Sequence, residues 1–257
     1  MYFDRAVLSA LPLLDFRPDV IHCHDWQTGL IPVYLHDSFA GGDFFRGIKT
    51  VMTIHNLKFQ GNDGVEQFKR ISGLSDYYFT IDKLRTGVDG NMLKGGLVYA
   101  DAITTVSNTY AEEIKTQFYG EGLDGLMRAR ANDLRGIVNG IDYVDYNPDT
   151  DKNIVVRYNY DNVLEKKIHN KLGLAQDDNR FMIGIVSRLT DQKGFDLIAY
   201  MMERMCEQGI QFVVLGTGEQ KYEDMFRWFA GKYPDRVSAN IYYSEEMSHR
   251  IYASADA

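Results

Sequence analysis

One pattern repeats along this chain and limits what it can fold into. A short β-branched run is followed by a polar or glycine stop, then by a longer amphipathic stretch. The runs are Val20–His24, Thr50–His55, Ala102–Val106, Gly136–Asn139, Met182–Val186 and Gln211–Leu215, with a weaker one at Val237–Tyr243. Most are nearly continuous in apolar residues, as in strands covered on both faces of a parallel sheet. Stretches with helical period lie between them at Gln27–Phe39, Asn91–Tyr99, Thr109–Gln117, Phe195–Gln208 and Gln220–Lys232. Thr109 and Glu112 stand at capping-box spacing, and Gly209 stops the helix that precedes it. Strands alternating with helices predict an α/β, doubly wound architecture.

Two segments break the rhythm. Leu57–Gly90 is long for a connection inside a domain, and such excursions are often functional lids. Its aromatics, Phe59, Phe68, Tyr77, Tyr78 and Phe79, either stack on sugar rings or pack a local core. Asp142–Asn162, rich in Asp, Asn and Tyr, reads as a connection between domains, which puts the boundary near residue 165. The expected organisation is therefore two Rossmann-like domains, 1–165 and 166–257.

Charge and cysteine usage remove several classes. The 257 residues carry 28 Lys+Arg against 36 Asp+Glu, a net charge of −8, with no basic run of the kind that tracks phosphates. Glu165-Lys166-Lys167 carries both signs and reads as a solvated helix face. No nucleic-acid partner is expected. No stretch reaches the length of uncharged apolar residues that a membrane span needs. Met1–Arg5 contains Asp4 and lacks the order of a secretory signal. Cys23 and Cys206 form no metal or redox spacing, which fits a cytoplasmic setting.

In open α/β sheets ligands bind beyond the carboxyl ends of the strands, so those ends locate candidate sites. The first run ends in His24-Asp25-Trp26 and the second in His55-Asn56. The fourth ends in Asn139-Gly140. The fifth leads into Arg188-Leu189-Thr190-Asp191-Gln192-Lys193-Gly194, two cations ahead of a helix start. Arg188 and Lys193 suit a diphosphate that becomes more negative as it departs. The alternative is an exposed basic turn. Gly216-Thr217-Gly218 permits close backbone approach to a nucleotide, or simply makes a tight turn. His22, His24 and Asp25 share too few further ligands for a metal site, and none is expected. One of the two histidines is expected to pack inside while the other faces a cleft, where His55 is also expected.

These residues resemble a family. His22–Gly29, Thr53–Gly61, Ala100–Ser107, Ile137–Asp142 and Ser187–Gly194 resemble, in order, the bacterial glycogen (starch) synthases of the ADP-glucose type. The resemblance implies two Rossmann-like domains of the GT-B type, both truncated here. It implies glucose transfer from ADP-glucose to the non-reducing 4-hydroxyl of an α-1,4-glucan such as glycogen, with retention and without a metal or other cofactor. By motif position, Arg188 and Lys193 hold the donor phosphates, and His55 sits beside the transferred glucose. Asn139 binds a glucose hydroxyl; Asp25, Trp26 and Asn56 line the acceptor side. Tyr243 lies against the adenine, and Gly216, Thr217 and Gly218 border the nucleotide. The family's Lys-x-Gly-Gly-Leu loop and Glu-Pro-Cys-Gly segment are not in the sequence, so an internal piece of a synthase, without turnover by itself, is expected. The competing readings are another retaining nucleotide-sugar transferase, of sucrose or lipid-sugar type, and a nucleotide- or glucan-binding module without turnover.

Overall fold

The computed structural model describes residues 1–170 and 180–257. The chain divides into two compact units, Met1–Gly140 and Ile141–Ala257. The fold is mixed α/β with parallel sheets in both.

The first unit carries strands β1 (Val20–His24), β2 (Lys49–Ile54), β3 (Asn62–Gly64), β4 (Arg85–Thr86), β5 (Asp89–Asn91), β6 (Ala102–Thr105) and β7 (Leu134–Gly136). Its helices are α1 (Tyr2–Ala10), α2 (Ile31–Asp37), α3 (Val65–Ser72), α4 (Met92–Tyr99), α5 (Asn108–Glu113) and α6 (Asp124–Ala129). The main sheet is parallel in the order β1-β2-β6-β7. Its register aligns Cys23 with Met52, Met52 with Ile103, and Ile103 with Leu134, so one buried row crosses all four strands. Side chains alternate across a strand, so the next residues, His24, Thr53 and Thr104, share the opposite face. The burial of β1 is limited to Cys23, because this strand stands at one edge of the sheet.

Helix limits follow local chemistry. Asn91 caps α4 by accepting from the Lys94 amide, and Ser107 caps α5 by accepting from Tyr110. The cap of α5 is therefore Ser107, not Thr109, because the chain leaves its extended conformation two residues earlier than the capping-box spacing suggests. The stretch expected as one helix over Gln27–Phe39 is a 3-10 turn, Trp26–Thr28, followed by α2 with Pro32 in its first turn. A Cβ on Gly29 would lie 2.2 Å from the Met92 carbonyl oxygen, so α4 presses directly on that turn.

The fourth strand also differs from expectation. β7 ends at Gly136, whose missing side chain lets it pass the start of α5: a Cβ there would lie 2.3 Å from the Ser107 carbonyl oxygen. Ile137 and Val138 are exposed, so their apolar character does not mark strand. In the Leu57–Gly90 excursion, β3, β5 and β4 form a small antiparallel sheet. Phe68, Tyr78 and Phe79 are buried as a local core, whereas Phe59 and Tyr77 are exposed.

The second unit holds β8 (Met182–Val186), β9 (Gln211–Leu215) and β10 (Val237–Asn240), parallel in the order β10-β9-β8. Its helices are α7 (Val163–His169), α8 (Phe195–Glu207), α9 (Gln220–Lys232) and α10 (Glu245–Ser254). All five residues of central β9 are buried, as the continuous apolar run requires. Phe195, Phe212 and Phe226 fill the core between sheet and helices. Gly209, with φ of 90°, ends α8 where the pattern placed the stop.

The boundary lies earlier than residue 165. The segment 142–162 packs with the second unit: Asp151 accepts from or pairs with His249 Nδ1 at 2.6 Å, both side chains buried. Tyr146 stacks on His249 at 4.3 Å, and Arg250 Nε donates to the Asn153 carbonyl. These partners are about a hundred residues away in sequence, so composition alone reads the segment as a connection.

Candidate functional site

At the carboxyl ends of β1 and β2 the structure brings Asp25, Trp26, His55 and Asn56 together, as the strand-end rule expects. Asp25 has φ of 56° and ψ of −172°, a backbone region that non-glycine residues seldom occupy. The conformation is held from both sides. Its amide donates to the Thr53 carbonyl at 2.9 Å, and its Oδ1 accepts from the His55 amide at 2.8 Å. Asp25 therefore fixes the backbone of His55. The local strain is retained because two hydrogen bonds over-determine it.

His22 and His24 do not divide between core and cleft. Both are exposed on one face, with ring centroids 4.2 Å apart, because residues two apart on a strand point the same way and Cys23 takes the buried side. His22 Nε2 meets Thr53 Oγ1 at 2.6 Å, which in turn meets Thr104 Oγ1 at 2.6 Å. His24 Nδ1 lies 3.0 Å from His55 Nε2. Burial, together with the neighbouring His22 and His55, holds the His24 pKa below its ordinary value. Among the described residues no group of three His, Cys, Asp or Glu side chains is arranged to hold a metal ion.

Trp26 packs over Gly61, where a Cβ would come within 2.5 Å of the indole ring. Asn56 Oδ1 accepts from the Lys58 amide at 3.1 Å and turns the chain out of β2. Three supporting residues were not singled out by the sequence. Tyr110 Oη accepts from the Leu57 amide at 3.1 Å. Buried Gln60 accepts from Asn91 Nδ2 at 2.6 Å and donates to the carbonyls of Leu57 and Glu121. These polar groups anchor the base of the excursion, and only their tertiary partners reveal the role. Asn139 lies in the exposed stretch after β7, three residues beyond the strand end, and the contacts of the other predicted residues do not include it.

In the second unit Arg188, Gly216, Thr217 and Tyr243 border a cavity of about 320 Å³, with Tyr146 and Tyr252 on its wall. Arg188 follows β8 by two residues and is exposed. Lys193 closes a 3-10 turn, Asp191–Lys193, and Gly194 (φ 69°) then opens α8. Lys193 and Gly218 are not part of the cavity lining. Among the described residues neither Arg188 nor Lys193 forms an ion pair, although the chain is acidic. The loop between them is fixed by Asp191, which accepts from Lys221 Nζ and from Tyr222 Oη at 2.6 Å. Its two cations thus stand on an anchored turn.

Gly216 and Gly218 serve a purpose beyond the one expected of them. A Cβ on Gly216 would lie 1.9 Å from the Ser187 carbonyl oxygen, and one on Gly218 would lie 2.2 Å from that of Leu189. The two glycines let the loops after β8 and β9 run side by side, with Leu189 N–H donating to the Thr217 carbonyl at 3.0 Å. Their own amides are engaged: Gly216 donates to the Asn240 carbonyl and Gly218 to Glu223 Oε1. The positions of Arg188 and Thr217 at the cavity depend on this close approach. Tyr243 is 88% exposed, with its ring free to take a planar partner.

Comparison with known proteins identifies the family and the fold. The chain is 64% identical to the glycogen synthase of Lachnospira eligens and 60% identical to that of Lachnoclostridium phytofermentans, in each case over 100% of its own length and 55% of the relative's. It therefore spans about half the length of the curated relatives it matches. Its structure is similar, at a TM-score of 0.89 and 33% identity, to the catalytic domain of starch synthase IV from Arabidopsis thaliana bound to ADP and acarbose, covering 99% of this chain and 54% of that one. That likeness makes the fold the GT-B glycosyltransferase type. The starch synthase catalytic domain family matches residues 1–129, half of the sequence, and the chain belongs to that family.

Proposed function

We propose that this chain is part of a glycogen synthase that transfers glucose from ADP-glucose to the non-reducing 4-hydroxyl of an α-1,4-glucan with retention of configuration. The observation that carries the reading is the anchored loop bearing Arg188 and Lys193, two cations without carboxylate partners among the described residues, the first of them at the rim of a cavity of about 320 Å³. The similar starch synthase bound to ADP and acarbose supports both a nucleotide and a glucan as ligands.

In this reading the second unit holds the donor. Arg188 offers a planar fork of donors to the diphosphate and Lys193 a point charge. Charge grows on the departing ADP as the glycosidic bond breaks, so cations fixed in advance stabilise the transition state more than the ground state. Tyr243 lies against the adenine, and Thr217 borders the nucleotide. Arg188 and Lys193 supply the positive charge, and the reading requires no metal. In the first unit His55, with its backbone set by Asp25, positions the transferred glucose, and Asn139 binds one of its hydroxyls. Asp25, Trp26 and Asn56 belong to the acceptor side. Same-side attack by the glucan hydroxyl, assisted by the leaving group, accounts for retention without a carboxylate nucleophile. No helix among the described residues is long and apolar enough to cross a membrane, and both cysteines are unpaired and buried; the proposed setting is the cytoplasm.

Titration calorimetry of the chain with ADP tests the donor half. Saturable heat that disappears in an Arg188→Ala variant of intact fold is the expected result. A folded chain that gives no heat with ADP contradicts the assignment of the cavity.

A further inference from the structure

The ring of His55 is exposed, so packing alone does not fix its orientation. Its backbone is set by Asp25, and its Nε2 meets His24 Nδ1 at 3.0 Å. One dipeptide, His24-Asp25, therefore holds both the main chain and the ring of His55. We propose that His24 is a positioning residue that locks the imidazole of His55 in a single tautomer and orientation; this rests on the reading of His55 as the group beside the transferred glucose.

The hydrogen bond couples the tautomers of the two rings. One nitrogen of the pair must carry hydrogen and the other must be bare. If His24 Nδ1 carries it, His55 accepts at Nε2 and keeps its own proton on Nδ1. If His24 Nδ1 is bare, His24 is protonated on Nε2, and His55 donates from its own Nε2. In both cases the two neutral rings bear their proton on the nitrogen of the same name. Only protonation of both rings would make both atoms donors and break the contact. Three titratable groups surround the His24 ring: His22 at 4.2 Å between ring centroids, His55, and Asp25. Burial first, and the two neighbouring histidines second, lower the His24 pKa and so favour its neutral form. The base of His24 is itself fixed, since its amide donates to Thr28 Oγ1 at 2.7 Å and that hydroxyl donates back to its carbonyl at 2.9 Å.

Nitrogen-15 NMR of the imidazoles in the chain, at neutral pH, reads the lock without any turnover. His24 and His55 are expected in matching single tautomers, and His24→Ala is expected to return His55 to a tautomer average. His24→Asn, whose amide occupies nearly the place of Nδ1, is expected to restore one tautomer. In a full-length synthase carrying this sequence, His24→Ala is expected to lower kcat about tenfold or more, with the KM for ADP-glucose within about twofold and partial rescue by Asn. An His55 tautomer that is averaged in the unaltered chain, or unchanged in a folded His24→Ala variant, overturns the lock. A lock that is lost without a fall in kcat overturns the positioning role. Absence of any ADP-glucose transfer by the unaltered synthase overturns the functional reading alone, and the NMR comparison still decides the lock.

Discussion

In a full-length synthase carrying this sequence, Lys193→Ala is expected to lower kcat for transfer from ADP-glucose by about 10²- to 10³-fold, the effect of removing a fixed charge from a departing anion. Stability should hardly change. Lys193 is exposed and makes no ion pair among the described residues, so its removal leaves no buried group without a partner. Lys221, in the first turn of α9, provides the contrast beside this loop. It is already bound by Asp191 and Glu219, which raise its pKa, and its charge is committed to holding the turn. Lys193→Arg should retain part of the activity, since the charge remains while its position shifts. A Lys193→Ala synthase with kcat within about twofold of the original would make the turn a structural feature only.

The second large effect concerns folding. Gly216→Ala is expected to destabilise the second unit by about 3 kcal/mol or more, because the new methyl group would overlap backbone and no side chain can rotate away. The contact is with the Ser187 carbonyl oxygen at 1.9 Å, and the backbone φ of 154° is one that L residues rarely adopt. Gly231 is the matching control within α9. A Cβ there meets nothing within 4 Å, so Gly231→Ala should stabilise by about 0.5–1 kcal/mol through helix propensity. Chemical denaturation of the chain, followed by circular dichroism, separates the two. Equal midpoints for Gly216→Ala and the unaltered chain would mean the two loops do not approach each other as described.

These glycines also mark where sequence reading stops. A Gly-x-Gly after a strand signals that something comes close to the backbone, but not what. Here the neighbouring loop takes that place, a fact that depends on the parallel pairing of β8 with β9. Strand positions were legible wherever apolar runs were buried on both sides, as in β9, whose five residues are all covered. The run Ile137-Val138 was misleading because its apolar side chains are exposed, and this displaced the inferred end of β7 and the setting of Asn139. Asp25 and His55 were legible as neighbours because adjacent parallel strands bring their ends together. The aspartate's clamp on the His55 amide was not, since it requires a backbone conformation that no spacing announces. The domain limit was displaced for a related reason. The Asp151–His249 contact joins residues 98 apart, and an Asp/Asn-rich segment gives no sign of such a partner.

The most direct measurement is incorporation of labelled glucose into glycogen by a full-length synthase carrying this sequence, with ADP-glucose and UDP-glucose compared as donors and the anomeric linkage of the product determined. The account predicts incorporation from ADP-glucose in α-1,4 linkage, strongly reduced by Lys193→Ala. A folded enzyme that ignores ADP-glucose, or that passes sugar to a different class of acceptor, would contradict it.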